Sequence, residues 1–130
     1  VIGRVRDRAT FEALRREGRR ARRGPVTVVY LPGGTPPPRA AFAVGRNVGN
    51  AVVRNRVRRR LRAVLRDIEG GRHQAPGLAP GAYLLTARPE VVDVSYDELA
   101  RLVGSACAAV RPAGASGPDD SARSAPGGHG

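Results

Sequence analysis

"GNAVVRNRVRRRLRAVL", residues Gly49 to Leu65, carries six arginines and still keeps Val53, Val57, Leu61, Val64 and Leu65 at helical spacing. On a wheel of about 100° per residue with Val53 at zero, these residues and Ile68 fall within about 120° on one side, a stripe wide enough to pack on a sheet. Asn55, Arg56, Arg58, Arg59, Arg62 and Arg66 take the opposite side. Arg54 and Arg60 fall at the flanks, where their stems can cover apolar surface while the guanidinium stays in water. The spacing predicts a helix from Ala51 to about Glu69, opened by Asn50 as N-cap and stopped by Gly70 and Gly71.

On an ordinary solvated helix, acids alternate with bases and pair one turn away. Here no acid occurs before Asp67, so pairs such as Arg54 with Arg58 and Arg58 with Arg62 repel by roughly 0.2–0.5 kcal/mol each. A face that accumulates this repulsion is stabilised when phosphates neutralise it. Asn55, among the arginines, both donates and accepts hydrogen bonds, which a purely electrostatic patch does not need.

The charge of the whole chain points the same way. Its 130 residues carry a net charge of +12, and the imbalance is one-sided: 18 arginines face three carboxylates through Arg66, and five face eight from Asp67 onward. Such a field concentrates polyanions, either nucleic acid or an anionic membrane surface. All 23 basic residues are Arg. Arg pairs bidentately with phosphate, but total exclusion of Lys, beside abundant Ala, Gly and Pro, reads first as a GC-rich coding bias. With two Phe, three Tyr and no Trp, the core must be aliphatic.

Outward from the long helix, "RATFEALRRE" (Arg8–Glu17) reads as a short helix with Phe11 and Leu14 on one side, Thr10 as N-cap and Gly18 as stop. "GRRARRGP" reads as a basic loop. "VTVVYL" (Val26–Leu31) has strand composition, and "PGGTPPP" forces a turn or loop. "AAFAVG" reads as a second strand, antiparallel to the first if that loop makes a wide hairpin. "AYLLTA" (Ala82–Ala87) reads as a buried strand stopped by Pro89. Ser95 with Glu98 resembles a capping box opening a helix through Leu99, Leu102, Val103 and Ala106. Residues 1–111 read as one domain, and 112–130, with no apolar face, as a disordered Gly/Pro/Ser-rich tail.

Little here looks like protein-based catalysis. His73 and His129 lie in Gly/Pro-rich segments with no partner spacing for a triad or a metal. A P-loop lysine is excluded, since Lys is absent. Cys107 stands alone in an apolar stretch and reads as core; a single Cys fits a reducing compartment. No run reaches the roughly 18 apolar residues of a membrane span, and the Arg-rich start leads into no apolar signal core, so the chain reads as cytoplasmic. A start at Val1 with no Met anywhere reads as a processed, truncated or alternatively initiated terminus.

"VGNAVVRNRVRRRLR" (Val48–Arg62), with "AAFAVGRN" before it, resembles the signature of the bacterial ribonuclease P protein subunit, the small basic partner of the catalytic RNA that trims the 5′ leader from precursor tRNA. The resemblance runs from about Arg8 to Val103. It implies an α/β sandwich in the order α-β-β-α-β-α, with a small mixed sheet and the long basic helix in a left-handed crossover, against the usual right-handed preference. It implies binding of the catalytic RNA by Arg46, Asn47, Asn50, Arg54, Asn55, Arg56, Arg58, Arg59 and Arg62. It further implies a cleft for the leader at Phe11, Tyr30, Ala41 and Ala43. Chemistry then belongs to the RNA, with Mg²⁺ bound mainly by that RNA; no catalytic or metal-ligating protein residue, no membrane and no protein partner is required. Gly45, Arg46 and Asn47 stand where the family commonly has Ser-Lys-Lys, and Arg15 where it often has a second aromatic. For Phe11, core packing and base stacking are both open. A DNA-binding or ribosomal protein could use the same helix, and a cationic membrane-surface helix is the remaining alternative, although its apolar face would normally carry Trp, Phe or Leu.

Overall fold

The chain, described by a computed structural model over residues 2–71 and 77–112, folds around one five-stranded sheet. In order it forms β1 (Gly3–Arg4), α1 (Arg8–Glu17), β2 (Arg19–Arg23), β3 (Val26–Pro32), β4 (Arg39–Val44), α2 (Ala51–Glu69), β5 (Gly81–Ala87), a 3-10 helix (Pro89–Asp93) and α3 (Tyr96–Val110). The expected α/β order is present, with two edge strands added. His73, His129 and the tail read as disordered lie outside the described residues, apart from Pro112.

The strands run β1-β4-β5-β3-β2 across the sheet. β5 pairs parallel with β4 and antiparallel with β3, so it separates the two strands expected to form a hairpin. The hairpin of the structure is β2–β3, closed by Gly24 and Pro25, with Arg23 opposite Val26. Gly24 sits at φ +58, and proline supplies the negative φ after it, a fitting pair for a two-residue turn. "GRRARRGP" is therefore a strand and its turn, not a loop. Arginine has no strand preference, but an edge position lets four arginines reach solvent while Ala21 alone packs inward.

Side-chain alternation gives the sheet two apolar faces. One carries Val26, Val28, Tyr30, Ala40, Val44, Tyr83 and Leu85, covered by α2 and α3. The other carries Val29, Ala82 and Leu84, covered by Leu14 of α1 and by Val5. The molecule is thus three layers, with α1 on one side and α2 with α3 on the other. Cys107 is core on α3, as expected, and burial pushes its thiol up to about 12, leaving no thiolate near neutral pH.

Caps set the helix ends. Asp7, not Thr10, caps α1: its carboxylate accepts from Thr10 N at 3.0 Å and from the Thr10 hydroxyl at 2.7 Å. Those bonds hold the Asp7 carboxyl below its ordinary value. Their contribution is complete above the unfolded-state pKa and is lost as pH falls through the lowered folded value. Asn50 caps α2 by accepting from Val53 N at 3.0 Å. Ser95 accepts from Glu98 N at 3.1 Å, while the Glu98 carboxylate turns to Arg101 and leaves the capping box half made.

Along α2 the buried residues are Val57, Leu61, Val64, Leu65 and Ile68, as the wheel predicts. Leu61→Ala should lower stability by about 2–5 kcal/mol, measured by denaturant unfolding. Val52→Ala on the same helix, at a side chain 67% exposed, should leave the midpoint unchanged.

Candidate nucleic-acid interface

The basic surface starts just before α2. Val48 N bonds the Gly45 carbonyl at 3.1 Å and Gly49 N the Arg46 carbonyl at 3.2 Å, while buried Val48 pins the turn to the core. Gly49 has φ +159, and a Cβ there would meet Val53 Cβ at 2.8 Å, so only glycine lets the chain pass so close to the helix it enters. This leaves Arg46 and Asn47 exposed beside the N-terminus of α2, whose first turn holds no acid. Free N–H groups and the helix dipole there favour an anion. The side-chain oxygen of Asn50 is committed to its cap, so only its amide nitrogen remains to donate outward.

The arginines of α2 divide by position rather than forming one outer face. Asn55, Arg56, Arg59 and Arg66 are exposed. Arg54, Arg58 and Arg62, one turn apart, are partly buried along the side next to β4. Arg58 donates to Asn55 Oδ1 at 2.8 Å and reaches the Val44 carbonyl at 3.5 Å; the Arg62 guanidinium lies 5.2 Å from the centre of the Phe42 ring. Arg58 and Arg62 are thus corrected from the fully solvent-facing side, because β4 extends under that flank of the helix. The Arg54 Nε is buried without a protein acceptor. Arg60, on the other flank, is held by the Val94 carbonyl next to α3. None of these seven arginines forms an ion pair among the described residues.

Between β1 and α2 the flank opens into a concavity of about 430 Å³, with Arg4, Arg58, Arg62 and Arg66 around a floor that includes Phe42 and Leu65. Sequence reasoning missed Arg4, because a two-residue strand leaves no periodic signal.

The four residues assigned to a leader cleft do not share a face. Phe11, Ala41 and Ala43 lie on the α1 side: Phe11 and Ala41 are half-buried against that smaller core, and Ala43 is exposed. Phe11 is therefore partly core, and its open side borders a hollow of about 450 Å³ with Arg6, Arg8, Glu12 and Arg15. Arg15 lines that hollow too. Tyr30 points the other way. It is 1% exposed, its ring centre is 4.8 Å from that of Tyr83, and its hydroxyl donates to the Pro80 carbonyl at 2.6 Å. Period-two alternation makes the correction unavoidable, since the residue on the α1 face at this point of β3 is Val29. Burial raises the Tyr30 pKa above its usual value, partly opposed by Arg111 and Arg19.

Among the described residues, no three His, Cys, Asp or Glu side chains gather as a metal cage would require, and no helix is long and apolar enough to cross a membrane.

Comparison with known proteins agrees with this geometry. The sequence pattern of the family described as Ribonuclease P matches residues 3–111. The chain is 42% identical over 123 aligned positions to the "Ribonuclease P protein component" of Thermobifida fusca, covering 87% of this chain and 80% of that protein. It is 43% identical over 103 positions to the protein of the same name from Nocardioides sp., covering 75% and 82%. Among solved structures, the RNase P protein from Thermotoga maritima superposes with a TM-score of 0.71 at 19% identity, covering 84% of this chain and 98% of that one. The Staphylococcus aureus RNase P protein gives 0.66 at 18% identity, covering 79% and 90%.

The division of the α2 arginines is measurable. Arg54→Ala, Arg56→Ala and Arg59→Ala should each weaken RNA binding and reduce the slope of log K against log[salt] by about one for each phosphate no longer neutralised. Arg60→Ala should instead lower the unfolding midpoint and leave the slope unchanged, because its guanidinium is bound within the protein. Wild-type slopes in the Arg54, Arg56 and Arg59 variants alike would reduce the arginine face to a solvated surface.

Proposed function

This chain belongs to the ribonuclease P protein family, and on that premise we propose that it binds the catalytic RNA of that enzyme through α2 and the turn before it, and holds the 5′ leader of precursor tRNA on the α1 face of the sheet. Its role as the protein subunit of ribonuclease P places it in tRNA processing. The observation that carries the RNA-binding reading is the α2 surface, where seven arginines meet no carboxylate among the described residues.

In this reading Arg46, Asn47, Asn55, Arg56, Arg59 and Arg66 meet the backbone of the catalytic RNA, and Arg54, Arg58 and Arg62 present guanidinium groups from the β4 flank. Arg54 Nε gains the acceptor it lacks within the protein, which removes a desolvation cost. Phe11 offers its open side to an unstacked leader base beside the small side chains of Ala41 and Ala43.

The hydrolysis itself is assigned to the RNA. Mg²⁺ held by that RNA would supply charge stabilisation there. The protein's contribution is to neutralise phosphate repulsion, position the leader and raise substrate affinity. The setting is the cytoplasm, and no further protein is required.

Cleavage of a 5′-leader substrate by the catalytic RNA at low Mg²⁺ tests the whole reading. Adding this protein should raise the rate and lower the Mg²⁺ needed; no effect at saturating protein would overturn it. Phe11→Ala should weaken precursor tRNA binding by about 1–3 kcal/mol and leave mature tRNA binding unchanged, in a variant whose thermal unfolding matches wild type. Tyr30→Phe should cost about 0.5–1.5 kcal/mol of stability through removal of the bond to Pro80 without altering either affinity.

A further inference from the structure

β2 is the most basic segment outside α2, and the proposed function leaves it idle. It is an edge strand, hydrogen-bonded to β3 alone. Charged side chains keep an edge from pairing with another chain, and RRARR supplies four of them. None of Arg19, Arg20, Arg22 and Arg23 is in an ion pair among the described residues.

Alternation divides these arginines between the faces. Ala21 packs into the core under α3, and Arg23 Nε donates to the Ser105 hydroxyl of α3 at 2.9 Å, so Arg19, Ala21 and Arg23 belong to the α3 side. Arg20 and Arg22, both exposed, belong to the α1 side. The register extends each of them into a row across four strands. One row is Arg20, Val29, Leu84 and Ala41; the next is Arg22, Thr27, Thr86 and Ala43. The helix α1 covers the first, where Val29 and Leu84 are buried. It leaves the second open, with Thr27 and Thr86 partly exposed and Ala43 exposed.

An open strip of small side chains therefore crosses the sheet from Ala43 on β4 to Arg22 on β2, three inter-strand spacings or roughly 14 Å. The row covered by α1, on whose core cluster Phe11 packs, lies next to it, and Arg20 and Arg22 stand at its far end. Arg22 Nε is held by the Gly24 carbonyl at 3.1 Å, which fixes the stem at the hairpin and leaves the terminal nitrogens to donate. Arg22 also shares a shallow hollow with Arg88, Pro25 and the one acid there, Glu90. Small floor residues admit bases closely, threonine hydroxyls donate and accept, and arginine forks match phosphate oxygens. A flexible single strand suits this flat, narrow strip; a duplex does not.

We propose that Arg20 and Arg22 extend the leader track, binding backbone phosphates of the leader segment that runs past the Thr27–Thr86 strip, so that affinity rises with leader length. This rests on the reading that the α1 face holds the leader, and the experiment separates the two. Holoenzyme reconstituted with wild type, Arg20→Gln/Arg22→Gln or Arg19→Gln is titrated with mature tRNA and with precursors carrying leaders of about 2 and about 12 nucleotides, the longer within the span of a single-strand groove.

Wild type should bind the long-leader precursor more tightly than the short. The double variant should lose roughly three- to tenfold on the long leader alone, with its unfolding midpoint unchanged. Arg19→Gln, on the same strand but the opposite face, should keep the full gain. An undiminished gain in the double variant overturns the proposal, and so does an equal loss for mature tRNA or an equal loss in Arg19→Gln. If wild type gains nothing from any leader, the underlying leader reading fails as well; if Phe11→Ala weakens precursor binding but not mature tRNA binding while the double variant behaves as wild type, only the β2 extension falls.

Discussion

The densest run of positive charge in this molecule depends on how firmly α2 is held to the sheet. Its arginines repel along the helix, about six pairs at i,i+3 or i,i+4 spacing and roughly 1–3 kcal/mol in all at a few tenths each. Against this stand five buried aliphatic side chains, Val57, Leu61, Val64, Leu65 and Ile68. At about 1.5–3 kcal/mol apiece, taken as an upper bound because the unfolded chain already buries some of that surface, they exceed the repulsion several times over. The helix can therefore carry an uncompensated charge in the free protein and still be folded before any phosphate arrives. Self-repulsion that would fray an isolated peptide becomes stored attraction for a polyanion.

The sheet then keeps two surfaces apart. Because successive side chains alternate, one surface is covered by α2 and α3 except at the Phe42 flank, while the other is covered only over the rows that α1 reaches. Tyr30 and Tyr83 fill the first surface, and their hydroxyls bind the Pro80 and Ala79 carbonyls at 2.6 and 2.8 Å, fastening the chain just before β5. Gly81 follows them, where a Cβ would come within 2.4 Å of the Leu31 carbonyl and 2.7 Å of the Tyr30 ring. The strand that divides β3 from β4 can enter there only because that position lacks a side chain.

What could be read from the sequence follows how local each signal is. The bounds of α1 and α2, the Asn50 cap and the buried stripe of α2 come from spacing within a few turns, and they were legible. Insertion of β5 between β3 and β4 is a pairing over roughly forty to sixty residues, and no local pattern announces it. β2 was hidden for a different reason: its residues have no strand preference, and the only clues were one inward alanine and a Gly-Pro turn. The face of Tyr30 was recoverable in principle from parity. Ala41 and Ala43 share a face by their spacing of two, but relating them to Tyr30 required the register through β5. Arg58 and Arg62 were placed too far toward solvent because a helical wheel represents the helix as a cylinder and does not show where a neighbouring strand extends beneath its flank.

Cys107 has a consequence outside RNA binding. It is the only cysteine in the chain, it lies in the α3 layer against the sheet, and burial leaves it protonated at neutral pH. With only 8% of its surface exposed, it meets an alkylating reagent chiefly when α3 separates from the strands. The natural sequence thus contains a built-in opening clock: the rate of thiol modification follows the detachment of one layer, without a label or an engineered residue. RNA seated on the far side of α2 would register in that clock only as far as it tightens the packing between α2 and α3.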